Sequence, residues 1–300
     1  RDTKGKAKNN YFCALGLDYR YVANGHDINK LIEVFEEVKN INHPIVLHIH
    51  TTKGKGLSYA EKDRETWHYN SNFVPETGEP KTKPELKENF GDITFDFMIE
   101  KMKKDPRVCF INAAVPMGFG FTKDRREKLD KLRKQYVDVG IAEEHATTFS
   151  SGMATNGAKP VFGVISTFVQ RTYDQISHDI AINKAPTVTL VFGGTLKGMN
   201  DVTHLGYFDI PMISNIPNIV YLAPTTKEEY LAMLEWAIDQ NENPVFIKVP
   251  GGVVQHSGID VDKDYSNLNS YKVVEKGNDV AIIGLGEFFA LGKEVKELLK

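Results

Sequence analysis

The sequence has little of what marks secreted, membrane-spanning or nucleic-acid-binding proteins. Its 300 residues include two cysteines, Cys13 and Cys109, too few for a disulfide framework. Both have apolar neighbours, so we expect buried thiols in a reducing compartment, the cytoplasm. No apolar run approaches the roughly 20 residues that a membrane-spanning helix needs. The formal net charge of -3 argues against a general nucleic-acid binder.

Common catalytic motifs are missing as well. There is no phosphate-binding loop with lysine and serine or threonine at the required spacing, and no Gly-x-Ser-x-Gly turn. Gly284-Leu-Gly286 precedes a predicted helix, but the third glycine of a dinucleotide site is absent. Neither cysteine has metal-site spacing. The absence of these motifs gives no support to a nucleotide-binding site or to a serine hydrolase.

What the sequence does contain is an alternation of apolar strands and amphipathic helices, which is typical of a parallel sheet covered by helices. The chain begins without methionine and ends inside a helical pattern, so we expect a fragment of a multi-domain α/β protein. The strands are predicted at 44–50, 107–112, 136–139, 161–166, 187–193, 244–250 and 280–286. The main helices are predicted at 27–40, 93–103, 142–156, 168–183 and 225–240.

The most informative stretch is Asp138-Val-Gly-Ile-Ala-Glu-Glu-His-Ala146, a predicted strand that turns into a helix with acids at the turn. Gly140 permits a sharp bend, and Ala142 leaves space for a bulky group. A carboxyl group buried at such a turn is suited to proton transfer. The alternative is a solvated helix start, where the helix dipole favours acids. These nine residues alone favour that alternative.

Four histidines lie in predicted turns or at element ends: His26, His68, His145 and His204. A single histidine in such a place is more often structural than catalytic. Four of them around the strand ends improve the case for a site, because open parallel sheets bind ligands at the carboxyl ends of their strands. We expect His68 and His204 to approach a ligand from mobile segments.

Phe168 and Arg171 lie three residues apart in a predicted helix, so they share one face. A flat ring beside a guanidinium suits a heteroaromatic ligand, through stacking and hydrogen bonding. A core phenylalanine next to a solvated arginine explains the same spacing equally well.

Several segments, taken together and in order, resemble the thiamine-diphosphate-dependent transketolase family, and within it the 1-deoxy-D-xylulose-5-phosphate synthases. The resemblance covers nearly the whole chain. The matching segments are Asn24-Gly-His-Asp27, Lys53-Gly-Lys-Gly56, Ala60-Glu-Lys-Asp63, Thr66-Trp-His68, Asp138 to Ala146, Ser166-Thr-Phe-Val-Gln-Arg-Thr-Tyr-Asp-Gln175 and Thr203-His-Leu-Gly206.

The resemblance implies a transketolase-like, parallel-sheet fold with three α/β domains and a homodimer whose cofactor lies across the subunit interface. It implies that residues 1–82 are the end of the diphosphate-binding domain plus a linker, and that 83–252 are the pyrimidine-binding domain. Residues 253–300 would be a linker and the start of the C-terminal domain. The family's Gly-Asp-Gly…Asn motif is absent, so the ligands of Mg²⁺ and the diphosphate are not expected in this chain.

The resemblance also implies roles for individual residues. Glu143 would bond to a ring nitrogen of the aminopyrimidine, while Phe168 stacks on that ring and Arg171 lies near its amino group. Ile141 and Leu57 also fall at cofactor-contacting positions. The two candidate histidines named above, at 68 and 204, would assist proton transfer or hold the substrate. The implied reaction decarboxylates pyruvate and joins the two-carbon unit to an aldehyde acceptor, without nucleic acid or membrane as a partner.

The sequence departs from the synthase pattern at several positions. Leu57 and Ile165 replace tyrosines, Asn200 replaces an aspartate, and Gly193 and Gly251 replace arginines that help to hold the acceptor phosphate. The positions expected to bind the cofactor are thus largely kept, whereas those expected to bind the acceptor are altered. Three explanations remain open: a synthase-like enzyme with a different acceptor, a transketolase or other keto-donor enzyme, and a non-catalytic paralogue that acts as a partner subunit.

Overall fold

The computed structural model describes residues 10–68, 72–82, 87–194, 203–268 and 270–299. The chain divides into two compact units, residues 1–86 and 87–300. Each unit is described by itself. The predicted boundaries after residues 82 and 252 stay predictions.

The first unit is built around two parallel strands joined by a helix. Asp18 pairs with Ile45, and the register continues to the pair Val22 and Ile49. The connecting helix begins after Asp27, whose carboxylate accepts hydrogen bonds from two amides of the first turn, as an N-cap should. The elements are α1 (Tyr11–Ala14), β1 (Asp18–Val22), α2 (Ile28–Val38), β2 (Ile45–Ile49), α3 (Ser58–Lys62) and a 3₁₀ turn (Thr66–His68).

The second unit is a six-stranded parallel sheet with the strand order β4-β3-β5-β6-β8-β7. Every neighbouring pair in this sheet runs parallel, so the predicted α/β fold class is confirmed. The strands are β3 (Val108–Asn112), β4 (Tyr136–Asp138), β5 (Lys159–Ile165), β6 (Val188–Phe192), β7 (Val220–Leu222) and β8 (Val245–Lys248).

Helices cover both faces of this sheet. The α-helices are α4 (Phe90–Lys104), α5 (Lys123–Glu127), α6 (Glu143–Thr155), α7 (Ser166–Val169), α8 (Tyr173–Gln175), α9 (Asp209–Ser214), α10 (Lys227–Asp239) and α11 (Phe288–Leu298). The other helical segments are 3₁₀ turns at Pro116–Phe119, Asp130–Gln135 and Gln170–Thr172, and a π-helix at Ile176–Ile182.

The core has two parts because successive strand residues point to opposite faces of the sheet. Phe110 packs with α4 and α10 on one face, whereas the next residue, Ile111, packs with α6 and α9 on the other. Phe246 and Ile247 alternate in the same way. Strands buried on both faces are therefore mostly apolar, which is why their positions were predictable from the sequence.

The strand order creates a topological switch point. The chain passes from β3 to β4 on one side, then crosses back to β5 and continues to β6 in the opposite direction. In open α/β sheets, ligands bind at such points, outside the carboxyl ends of the strands. The segments that leave β3, β4 and β5 are therefore the place to look for a site.

Two expectations were wrong. Cys13 is exposed rather than buried, because the short helix α1 has no buried residue, whereas Cys109 is buried in β3 as expected. Residues 280–286 do not form a strand in the part of the chain that the structure describes, and Ile283 is 93% exposed. An apolar run becomes a strand only where a neighbouring strand pairs with it, and none of the described strands does so here.

Candidate functional site

The carboxylate of Asp138 connects the ends of β3 and β4 through hydrogen bonds. Oδ1 of Asp138 accepts hydrogen bonds from the amides of Gly140, at 2.9 Å, and Ala114, at 3.1 Å. Both residues have positive φ, 76° at Gly140 and 57° at Ala114. This conformation is easy for glycine and strained for alanine, so the aspartate holds a backbone arrangement that the chain does not otherwise favour. The turn delivers the chain to the start of α6.

Glu143 is the first residue of α6, and it is 1% exposed. The solvated helix start that the local sequence favours is therefore wrong. Oε2 of Glu143 lies 3.1 Å from Nη1 of Arg171. The guanidinium and the positive end of the helix dipole both stabilise a carboxylate in this otherwise buried position.

Phe168 and Arg171 lie on the segment that follows β5. The guanidinium carbon of Arg171 is 5.5 Å from the centroid of the Phe168 ring, and the arginine side chain is 49% exposed. The ring of His204 meets Phe168 edge-on, with centroids 5.3 Å apart. The structure thus brings Glu143, Arg171, Phe168 and His204 together in one group of contacting side chains.

Two hydroxyl groups beside Phe168 are buried and, within the described residues, form no hydrogen bond. They belong to Ser166 and Thr167, at the start of α7. A buried hydroxyl without a partner costs about 1–3 kcal/mol, which a ligand with a suitable donor or acceptor would recover. Sequence reasoning identified the neighbouring ring and missed these hydroxyls, since serine and threonine at a helix start normally serve as caps.

Ile141 lies between the turn at Gly140 and Glu143, and its side chain is 79% exposed. A large apolar side chain so exposed beside a buried carboxylate is available to a ligand or to another protein surface. His145 is also exposed, and its ring stacks on Phe149 within α6 at 5.8 Å. Asn200 lies outside the described residues.

The remaining predicted residues belong to the first unit. His68 ends a 3₁₀ turn, and its Nδ1 atom contacts Nζ of Lys53. Leu57 is half-buried and immediately precedes α3. His26 has a structural contact, because its Nε2 atom accepts a hydrogen bond from the amide of Thr52 at 2.6 Å.

A buried polar cluster near the same edge of the sheet escaped the sequence analysis. Oδ2 of Asp209 accepts hydrogen bonds from Nζ of Lys248, at 2.8 Å, and from the hydroxyl of Tyr221, at 2.7 Å. The available signal was a lysine at the end of the otherwise apolar strand β8. A charged residue there is rarely buried without a partner.

Neither a metal centre nor a membrane span is found in the described part of the chain. No group of three or more histidine, cysteine, aspartate or glutamate side chains is arranged to hold a metal ion there. No helix in the same part is both long enough and apolar enough to cross a bilayer.

Residues 89–255 match the family described as "Transketolase, pyrimidine binding domain", which is more than half of the chain. The chain belongs to this family. The resemblance inferred from the sequence motifs is thereby confirmed. Residues 2–51 match a second family, described as "1-deoxy-D-xylulose-5-phosphate synthase".

Relatives with this second name align along almost the whole chain. The 1-deoxy-D-xylulose-5-phosphate synthase of Alkaliphilus oremlandii (strain OhILAs) is 38% identical over 95% of this chain, and that of Symbiobacterium thermophilum is 37% identical over 97%. The aligned parts are 45% and 44% of those proteins, so the chain spans less than half of their length.

A solved structure shares the fold of this transketolase-type chain. It is described as a split-gene transketolase in an inactive β4 tetramer, and it superposes with a TM-score of 0.56 over 69% of this chain and 66% of its own. The identity is 20%, so this likeness supports the fold alone.

Proposed function

We propose that the full-length protein is a thiamine-diphosphate-dependent transferase resembling 1-deoxy-D-xylulose-5-phosphate synthase. In this proposal it decarboxylates pyruvate and condenses the two-carbon unit with an aldehyde. The observation that carries the proposal is the buried carboxylate of Glu143, with Arg171 3.1 Å away and Phe168 beside the guanidinium. Similarity to named synthases over 95% and 97% of the chain supports it.

The chemistry of this group of side chains fits an aminopyrimidine ring. A buried carboxyl group can share a proton with a ring nitrogen, and a flat phenyl ring can stack on a heteroaromatic one. The hydroxyls of Ser166 and Thr167, which have no partner among the described residues, are further candidates to bond polar atoms of such a ring. When bound, thiamine diphosphate supplies the carbanion chemistry of the reaction.

The residues of this chain would then bind, orient and exchange protons. Glu143 holds a proton against the ring nitrogen, and Arg171 fixes the orientation of that carboxyl group. Phe168 keeps water from one face of the bound ring. His204, whose ring meets Phe168 at 5.3 Å, exchanges a proton with the substrate or holds its carboxylate.

Other parts of the proposal concern groups beyond this site. Mg²⁺ and the diphosphate would be held by residues outside this chain, and the protein would be a cytoplasmic homodimer. In the dimer, the exposed Ile141 would be covered at the subunit interface, next to the cofactor. Leu57 and His68 would contribute a cofactor contact and a substrate contact from the first unit.

The acceptor is proposed to be an unphosphorylated aldehyde. Gly193 and Gly251 have no side chain to offer, whereas arginine forms strong bidentate contacts with phosphate. The amide of Gly251 is engaged by the Glu287 carboxylate, at 2.8 Å, which adds negative charge there. Lys248 is already paired with Asp209 at 2.8 Å.

The test is an assay of the full-length protein with pyruvate and either D-glyceraldehyde or D-glyceraldehyde 3-phosphate. We expect carbon dioxide release that depends on thiamine diphosphate and Mg²⁺, with kcat/KM no lower for the unphosphorylated aldehyde. Rapid product formation from the phosphorylated aldehyde would contradict the altered acceptor. Failure to bind thiamine diphosphate in a calorimetric titration would favour a non-catalytic partner subunit instead.

Gly251→Arg gives a sharper test of the acceptor. Its positive charge should raise kcat/KM for the phosphorylated aldehyde by about tenfold, as one charged hydrogen bond allows. Gly251→Gln supplies a long polar side chain without the charge and is the matched control. Equal effects of both variants would show that charge at this position does not select the acceptor.

A further inference from the structure

The buried cluster of Asp209, Lys248 and Tyr221 lies where three separate parts of the second unit meet. Asp209 is the first residue of α9, Lys248 is the last residue of β8, and Tyr221 is in β7. The side chains of Asp209 and Lys248 are 2% and 13% exposed. One carboxylate oxygen accepts hydrogen bonds from both partners, at 2.8 Å and 2.7 Å.

The protonated hydroxyl of Tyr221 and the carboxylate of Asp209 favour one fixed hydrogen-bond arrangement in this cluster. Burial, reinforced by the neighbouring charge of Asp209, raises the pKa of the Tyr221 hydroxyl far above its ordinary value. The phenol therefore stays protonated at neutral pH and donates to the carboxylate. A buried ion pair is weak evidence for stability, since removing both charges from water is costly. Its better-attested role is to fix one geometry among several.

The cluster also constrains the backbone at Gly194, which lies against it. A Cβ atom added to Gly194 would lie 2.3 Å from Nζ of Lys248 and 2.7 Å from Oδ2 of Asp209. The backbone that leaves β6 therefore runs directly against the ion pair, and a side chain at position 194 would have to displace the lysine ammonium or the carboxylate. A Cβ atom on Gly206 would in turn lie 2.7 Å from Cα of Gly194 and 2.3 Å from Oγ of Ser166.

The segment 203–209 is thus held at two places, by the carboxylate of Asp209 and by the close packing of Gly206. His204 lies just before that second place, and its ring meets Phe168 at 5.3 Å. Phe168 in turn lies 5.5 Å from the guanidinium carbon of Arg171, which is bonded to Glu143. A continuous series of contacts therefore connects the ion pair to the candidate site.

We propose that the Asp209–Lys248 pair, with Tyr221, positions His204 over the ring of Phe168. Asp209 and Lys248 are then positioning residues for the reaction, which act through His204 and do not touch the substrate. This inference rests on the proposed function for its kinetic consequence. Its structural part, the placement of residues 203–208, does not depend on any activity.

The kinetic test uses Lys248→Met in the full-length protein. The variant leaves the carboxylate of Asp209 without its cation, so the segment shifts and kcat falls by about 10²-fold, as small displacements near reacting groups do. Binding of thiamine diphosphate, measured by calorimetry, should stay within a few-fold of the parent, because Glu143 and Phe168 are untouched. Lys248→Arg keeps the charge and should restore most of kcat.

A double-mutant cycle with His204→Ala separates positioning from general damage. If Lys248 acts through His204, then Lys248→Met lowers kcat no further once the histidine is gone. If the two losses multiply, the lysine acts independently of the histidine and the proposal is overturned. Should Lys248→Met fail to fold, the milder Tyr221→Phe takes its place in the same cycle, with the same criterion.

Hydrogen exchange tests the structural part even if the protein proves inactive. Lys248→Met should speed amide exchange in residues 203–208 while leaving α6 unchanged. Lys101→Met is the matched control, because Lys101 is equally buried, at 13% exposure, and is paired with Glu235 and Asp239. Unchanged amide exchange in residues 203–208, or equal changes in both variants, would refute the proposal that the Asp209–Lys248 pair holds this segment in place.

Discussion

Arg171 and Glu143 are joined by a contact of 3.1 Å between a half-exposed guanidinium and a carboxylate that is 1% exposed. The arginine follows β5 and the glutamate follows β4, so the pair spans the two sides of the switch point in the sheet. A buried carboxylate needs such a partner, because an unpaired charge in this position is costly. The contact also leaves one side of the arginine exposed, beside Phe168.

Glu143→Gln tests the central residue of the proposed mechanism. The amide cannot share a proton with a ring nitrogen as the carboxyl group does, so kcat should fall by about 10²–10⁴-fold. The measurement is the steady-state rate of the full-length protein with saturating thiamine diphosphate. Glu144→Gln is the matched control, since Glu144 is the next residue of the same helix and is exposed. A rate for Glu143→Gln within a few-fold of the parent would contradict the assigned role.

Phe168→Leu tests the stacking of the ring. The leucine keeps an apolar side chain but loses the aromatic contact, worth about 0.5–1.5 kcal/mol. The dissociation constant of thiamine diphosphate should therefore rise by roughly two- to tenfold in a calorimetric titration. Phe95→Leu is the control, because Phe95 also has an arginine over its ring, Arg125 at 4.6 Å. Equal weakening by both substitutions would show that the effect is general.

The sheet was predictable because its strands are buried on both faces. Residues 107–112 and 244–250 are mostly apolar, and they contain the observed strands β3 and β8, respectively. The short strands β1 and β7 were missed, because β1 alternates charged with aromatic residues and β7 has only three residues. The predicted helix 168–183 is interrupted by a 3₁₀ turn and a π-helix. In the π-helix, the backbone carbonyl of Asp179 accepts a hydrogen bond from the hydroxyl of Ser151 at 2.7 Å.

The site was only partly predictable, because its decisive contacts join distant parts of the chain. Nothing in the nine residues around Glu143 shows that Arg171 will cover it, so local reasoning favoured a solvated acid. The family resemblance identified the residue as a candidate, and its role stays a prediction. Asp209 and Lys248 were missed for the same reason, since neither residue by itself indicates which distant partner it contacts.

A buried hydrogen bond between α4 and α10 gives a test of the core. The hydroxyls of Thr94 and Tyr230 are 2.7 Å apart, and both side chains are fully buried. Thr94 donates to the carbonyl of Phe90, so Tyr230 donates to Thr94. Thr94→Val leaves the phenol without an acceptor and should lower the free energy of unfolding by about 1–3 kcal/mol in urea denaturation.

The double variant Thr94→Val/Tyr230→Phe is the control for that experiment. It removes both partners, so it should lose less stability than Thr94→Val alone, because no buried hydroxyl is left unpaired. If the double variant is instead less stable than the single one by the full effect of Tyr230→Phe, the two residues act independently. That result would show that the hydrogen bond contributes nothing to the packing of the two helices.

A pH-dependent contact should hold the segment after β8 against α10. Both ring nitrogens of His256 face carboxylates, with Nδ1 2.8 Å from Glu228 and Nε2 2.9 Å from Glu88. Glu88 is also bonded to Lys227. The protonated ring donates to both acids, whereas the neutral ring can donate to only one. The hydrogen bond to Glu228 raises the pKa of His256 above its ordinary 6.5, with Glu88 adding to the effect.

The direction of the pH effect follows from these shifts. The contribution of His256 is complete below pH 6.5 and is lost as the pH rises through the raised pKa. Although burial opposes it, the amide of Ser257 and the ring of His256 lower the pKa of Glu228 to about 2 from 4.5. The contribution of Glu228 is therefore complete above pH 4.5 and is lost only as the pH falls toward 2.

Amide hydrogen exchange of residues 255–258, corrected for its intrinsic pH dependence, measures this contact. Protection should fall as the pH rises above about 6.5 in the parent protein, since the pKa of His256 lies above that ordinary value. His256→Gln should remove that dependence, because glutamine keeps a donor without a titrating charge. His178→Gln is the control, since among the described residues His178 contacts one carboxylate, that of Asp174 at 3.5 Å. Protection that falls equally in the parent and in His256→Gln would mean that another group governs the segment.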